Sequence, residues 1–173
     1  VFWLYARQRK KEMKHLQALS KTAELKTFKN ENGFYAEKYF YSMNGSYELF
    51  AGDLKKSITF LEKQIALEEK FPEHIADYPK GYYAPLNNLL GRYTYLGEEK
   101  KFFHTLNKFR KIPSQVIPLR KNYYELRVAV SAAQLELEYY LQNHQYANGL
   151  SRLPDLLKEI KVYEKQIPPE HII

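Results

Sequence analysis

The chain has 173 residues and a formal net charge of +7, with 27 Lys+Arg against 20 Asp+Glu. That length can bury a continuous core unaided, and the lack of any cysteine removes disulfide frameworks, zinc knuckles, iron–sulfur clusters and thiol catalysis together. An apolar fraction of 45 % with 16 tyrosines and 10 phenylalanines excludes a disordered chain, and 7 glycines with 8 prolines exclude a low-complexity one.

The chain opens on Val1-Phe2-Trp3-Leu4-Tyr5-Ala6, followed at once by Arg7, Arg9, Lys10, Lys11 and Lys14. An aromatic apolar stretch leading into clustered positive charge has the form of the cytoplasmic end of a membrane span. Six apolar residues fall short of the roughly 20 that a span needs, so the alternative is a helix whose first turn packs on the domain. The basic residues follow the apolar stretch, which is the reverse of a signal peptide. A first residue of Val is what a piece cut from a longer protein would show, and membrane attachment then falls to a segment upstream of Val1. The expected location is cytoplasmic, or the cytoplasmic side of a membrane-anchored parent.

Helical spacing dominates the rest of the chain. Met13, Leu16, Leu19, Ala23 and Phe28 form one stripe, and Gly33 ends that helix. A second helix is expected over 35–50, broken at Ala51-Gly52-Asp53, where Asp53 can cap a third over 54–70 with Ile58, Leu61 and Ile65 inward. Two prolines and Gly81 mark 71–81 as a loop. A helix over 82–96 with Pro85 in its first turn meets Gly97-Glu98 and returns over 100–111, with Phe103, Leu106 and Phe109 inward. After a loop at 112–118, a long helix runs over 119–143 and its return over 146–163, with Pro154 at a kink or break. Ile167-Pro168-Pro169 has the look of a further inter-repeat loop. No segment alternates as a strand does.

The three breaks Gly52-Asp53, Gly97-Glu98 and Asn143-His144 recur at 45 and 46 residues. Aligned on them, Leu86, Leu89, Leu90 and Tyr93 precede Gly97-Glu98, and Phe102, Leu106, Phe109 and Pro113 follow. In the segment before it, Tyr41, Gly45, Gly52-Asp53, Ser57 and Leu61 take matching places, with Glu48 where a tyrosine is expected. In the third segment Leu135 and Tyr139 precede Asn143. This pattern resembles a degenerate tetratricopeptide repeat, lengthened from the family's period of about 34 residues. The resemblance implies an all-α fold of about seven helices, in which antiparallel pairs at 34–71, 82–112 and 119–163 stack as a right-handed superhelix. A basic helix within 1–33 would precede the array, and 164–173 would be a tail or the start of another repeat.

Catalytic constellations are missing from the sequence. Glu12-x-x-His15 is half of a di-iron pattern without its other half, and His74-x-x-Asp77 reads as a loop pair. No phosphate loop, serine elbow or nucleotide fingerprint occurs. Glu68-Glu69, Glu98-Glu99 and Glu136/Glu138 read as solvated helix faces. The chain is therefore expected to be no enzyme and to need no cofactor or metal.

Tyrosines recur in aromatic doublets, Phe34-Tyr35, Tyr82-Tyr83, Tyr123-Tyr124 and Tyr139-Tyr140, and core filling accounts for most of them. The resemblance further implies a concave groove lined by the first helix of each pair. Its inward positions would be Tyr39, Ser42, Ser46 and Phe50, then Asn87, Gly91, Thr94 and Tyr95, then Ala133, Leu137 and Tyr140, with Asn88 beside the slot where relatives hold a peptide backbone. Tyr39, Ser42, Asn87, Asn88, Tyr95 and Tyr140 are thus the expected contacts to a protein or peptide partner. Net charge is +6 over 1–29, −3 over 30–91, +6 over 92–127 and −2 over 128–173. Alternating blocks disfavour a nucleic-acid partner, though the Arg92–Arg127 block keeps one as an alternative, beside a role as the repeat part of a membrane-tethered sensor. The sequence sets no oligomeric state.

Overall fold

The computed structural model describes Ala18, which is helical, and residues 33–163; the rest of the expected 13–28 helix, the 1–14 segment and the 164–173 tail lie outside the described residues. Regular structure among the described residues is helical throughout: α1 (Gly33–Ala51), α2 (Leu54–Glu69), α3 (Pro72–Asp77), α4 (Lys80–Leu96), α5 (Glu99–Arg110), a 3-10 turn (Ile112–Gln115), α6 (Pro118–Gln142) and α7 (Tyr146–Lys161). The chain divides between Phe71 and Pro72 into two compact units.

In the first unit α1 and α2 form an antiparallel hairpin. Gly52, at φ +89°, supplies the left-handed turn that an L side chain resists, and the Asp53 carboxylate accepts from the Lys56 N–H to cap α2. The helices come closest at Gly45, where an added Cβ would lie 3.3 Å from the Phe60 Cβ. Opposite it, the fully buried Ser57 hydroxyl donates to the Gly45 carbonyl. At the open end of the hairpin Lys38 and Glu68 pair at 2.6 Å, both shielded from solvent.

The second unit holds two further antiparallel pairs. α4 ends at Gly97, φ +66°, whose N–H bonds the Thr94 carbonyl while the Glu98 N–H bonds that of Tyr93. Leu86, Leu90, Phe102, Leu106, Phe109 and Ile112 are buried completely between α4, α5 and the 3-10 turn. α6 lies along both α4 and α5: Tyr139 stacks on Phe102 with ring centroids 4.4 Å apart, and the Tyr83 hydroxyl meets that of Ser131 at 2.7 Å. α7 returns against α6, with Gly149 so close beneath Tyr140 that an added Cβ would be 3.2 Å from that residue's Cβ. Beyond the end of α6, Asn143 donates through Nδ2 to the Thr94 carbonyl at 3.2 Å and to the Tyr139 carbonyl at 2.9 Å, tying the ends of α4 and α6 together.

Several expectations need correction. The 71–81 segment holds a short helix, because Pro72 suits a first helical position and Ile75 is buried. α4 begins two residues earlier than the spacing indicated, which moves Pro85 beyond the first turn. Ile112–Gln115 winds as a 3-10 turn around the buried Ile112. Pro154 does not break α7, since its missing donor leaves only the carbonyl of the exposed Leu150 without its helical partner, and water can reach it there. In α5 the fully buried aromatic next to Leu106 and Phe109 is Phe102, and Phe103 is half-buried. At the third break the left-handed residue is His144, φ +57°, so Asn143 is released to staple α4.

Candidate binding surfaces

On α4, Tyr83 reaches both Phe109 of α5 and Ser131 of α6, Lys101 of α5 lies over the Tyr93 ring, and Asn143 holds the Thr94 carbonyl. Leu86, Leu89 and Leu90 are buried beside them. What remains outward is Ala84, Asn87, Asn88, Gly91 and Tyr95, at helical intervals of three and four. Tyr95 is 67 % exposed, and Asn88 and Gly91 are open to solvent. Asn88 and Tyr95 thus stand open on one side of α4, with the half-buried Asn87 at its edge. Thr94, hydrogen-bonded to the Leu90 carbonyl, is buried and leaves that face.

Tyr140 does not share that face. Its ring lies 5.9 Å from Phe103 of α5, and its Cβ covers Gly149 of α7. Partial burial, with the Glu136 carboxylate nearby, raises its pKa above the ordinary phenol value. The repeat alignment placed Tyr140 in a groove, but Gly149, lacking a side chain, lets α7 pack directly against it, and Tyr140 lies on the return-helix side of α6. Ala133, expected beside it, is buried as well. In the first unit, Tyr39 lies on an open stripe of α1 with Tyr35, Met43 and Ser46, whereas Ser42 is half-buried and its carbonyl accepts from the Ser46 hydroxyl.

Two carboxylates expected on solvated faces are interior. Glu68 meets Lys38 in the first unit. Glu136, with its side chain 4 % exposed, accepts from Arg110 Nη2 at 2.6 Å and from Arg152 Nε at 2.8 Å. Arg152 also donates to Glu159 at 2.7 Å. Partial burial lowers the Arg152 pKa, but hydrogen bonds to Glu159 and Glu136 and their charges outweigh it and carry the pKa above the usual guanidinium value. The pairs on Glu136 join α5, α6 and α7, and both Glu68 and Glu136 are shielded from solvent. His74, expected in a loop, stands on α3 with Asp77. Among the described residues no three His, Asp or Glu gather as a metal group would require.

A further apolar open surface was not anticipated. α6 meets α4 through Tyr124 and Ser131 and meets α5 and α7 through Glu136, Tyr139 and Tyr140. Its remaining side carries Leu119, Leu126, Val130, Leu137 and Leu141, of which Leu119 is 91 % exposed. On α7, Leu150 and Leu157 each stand two residues before Arg152 and Glu159, or about 200° round the helix from the side that faces α5. They are 71 % and 58 % exposed. The leucines of both helices therefore lie on the flank of the α6/α7 pair turned away from α4/α5. A count of apolar positions could have found it, because α6 has more of them than one buried stripe requires.

The basic block disperses on folding. Arg92 is buried, which lowers its pKa to about 10, and Arg110 is engaged by Glu136. Arg127 lies over the Tyr83 and Tyr123 rings, and hydrogen bonds to their oxygens raise its pKa. Lys100, Lys101 and Lys111 remain exposed, with the half-buried Lys108 among them, on the outer side of α5. No described helix is long and apolar enough to cross a membrane. No protein family, curated protein or solved structure matches this chain.

Proposed function

We propose that the chain is a non-enzymatic scaffold, a tetratricopeptide-like right-handed stack of helix pairs whose open surfaces bind a protein partner. The observation that carries this reading is the set of exposed apolar side chains on α6 and α7, Leu119, Val130, Leu150 and Leu157. Several large apolar side chains left in water on one helix pair point to a surface for a partner. α4/α5 has its corresponding flank covered by α6, so an amphipathic helix or helix pair of a partner is the occupant that this geometry favours. Recurring left-handed residues at Gly52, Gly97 and His144 support the repeat, because each closes one helix hairpin. The α4 stripe with Asn87, Asn88 and Tyr95 is the second contact surface of the reading. A nucleic-acid role loses support from the burial of Arg92 and the engagement of Arg110.

Site-specific photocrosslinking tests the proposal. A benzophenone side chain at position 157 is expected to trap a protein partner in cells, whereas the same group at Asp155 on the polar side of α7 is not. With the probe kept at 157, Leu119→Asp combined with Leu150→Asp should abolish the adduct while leaving the helical circular dichroism unchanged, since both leucines are exposed. Equal adducts at 155 and 157, or none at 157 and none at 95, would refute a protein-binding role for these faces.

A further inference from the structure

The outer side of α5 carries one sign of charge. Lys100, Lys101, His104, Asn107, Lys108 and Lys111 fall on it, and no carboxylate occurs between Lys100 and Lys111. The opposite side is anchored by Phe102, Leu106 and Phe109, all buried, so the helix cannot roll to redistribute these groups. Glu98 reaches Lys101 at 3.8 Å, and Lys101 also sits 5.7 Å from the Tyr93 ring centroid. Lys100 and Lys111 stand at the two ends, about 16 Å apart at the helical rise. The other second helices differ. α5 carries a single carboxylate, the exposed Glu99 at its first residue, whereas α2 mixes Lys55, Lys56 and Lys63 with Glu62 and Glu69, and α7 mixes Lys158 and Lys161 with Asp155 and Glu159.

We propose that this face of α5 docks on an anionic lipid surface. A convex face of a single helix presents its lysines in a row, which suits a flat sheet of diffuse negative charge. Lysine is a compact hydrated charge on a flexible stem, matched to headgroups more than to bidentate phosphate recognition. A single-stranded nucleic acid would call for aromatic rings exposed among the charges, and here Phe102 and Phe109 are buried and Phe103 is half-buried. The sequence adds an independent pointer. Trp3 and Tyr5 followed by Arg7, Arg9, Lys10, Lys11 and Lys14 have the composition of a segment beside an anionic leaflet.

The test is vesicle flotation of the 173-residue chain. The chain should float with phosphatidylcholine vesicles containing about 30 % phosphatidylserine and not with phosphatidylcholine alone, and raised salt should release it. Each lysine removed from the contact should weaken partitioning about fivefold, so Lys100→Gln with Lys111→Gln should lower it about 25-fold. Lys158→Gln with Lys161→Gln removes the same charge from α7 and should change it less than about threefold. All four lysines are exposed, so neither double variant endangers folding. Equal losses in both variants would reduce the effect to net charge and overturn the proposal, as would wild-type binding by Lys100→Gln/Lys111→Gln. Duplex DNA or single-stranded RNA that binds the wild type more tightly than the vesicles do, and loses that binding in the α5 variant alone, would assign the face to nucleic acid and overturn it too. None of these outcomes bears on the crosslinking at position 157.

Discussion

Replacing Gly97 by alanine tests the joint on which the second unit turns. The residue holds φ +66°, a conformation that costs an alanine roughly 1 kcal/mol more than a glycine. A Cβ there would lie 2.9 Å from Asn143 Oδ1, closer than such atoms approach, so the Asn143 side chain must move. That side chain donates to the Thr94 and Tyr139 carbonyls, and disturbing the pair costs about another 1 kcal/mol. The expected loss is therefore about 2 kcal/mol, or about 4–8 °C in Tm for a chain of this size. Urea denaturation followed by circular dichroism measures it. The two contributions separate in a double-mutant cycle: with Asn143→Ala already present, Gly97→Ala should cost only the backbone share, about 1 kcal/mol. Gly52→Ala is the matched control, since Gly52 has φ +89° but no atom within 4 Å of an added Cβ. It should also lose about 1 kcal/mol. A Gly97→Ala variant as stable as wild type, or one whose cost is unchanged by Asn143→Ala, would refute the account of this turn.

Glu136→Ala takes the buried carboxylate from between Arg110 and Arg152 and leaves them only the more exposed Glu159, and should destabilise by about 2 kcal/mol, below the full cost of a broken buried pair because both arginines are partly hydrated and Glu159 remains; chemical denaturation measures it, and a loss under about 0.5 kcal/mol would show the pairs to be incidental. Asp53 has its pKa lowered by the backbone and side-chain hydrogen bonds from Lys56. The carboxylate's contribution is therefore present above its unfolded pKa and lost as pH falls through the lower folded one. Asp53→Ala should melt below wild type at pH 7, and the gap should close as pH drops below the ordinary carboxylate range; a gap constant with pH would contradict the cap.

Local chemistry in the sequence determined the helices and most of their ends. Gly52 and Gly97 are legible because left-handed backbone demands glycine, Asp53 because an acidic cap pairs with the first amides of a helix, and the helix pairs because one apolar stripe recurs in each. The open face of α4 was legible for the same reason: with Leu86, Leu89, Leu90 and Tyr93 inward, Asn88 and Tyr95 have only one side left. Tertiary packing decided the rest. α6 bears apolar residues on more than one side, so periodicity alone could not say whether Tyr140 or Leu141 turns outward; Gly149 beneath Tyr140 settled it, and Leu141 faces solvent. Glu68 and Glu136 look like surface residues in a one-dimensional string, because the cations that neutralise them lie 30 and, for Arg110, 26 positions away. A carboxylate's burial depends on which helix delivers its partner, and that is a property of how the pairs pack.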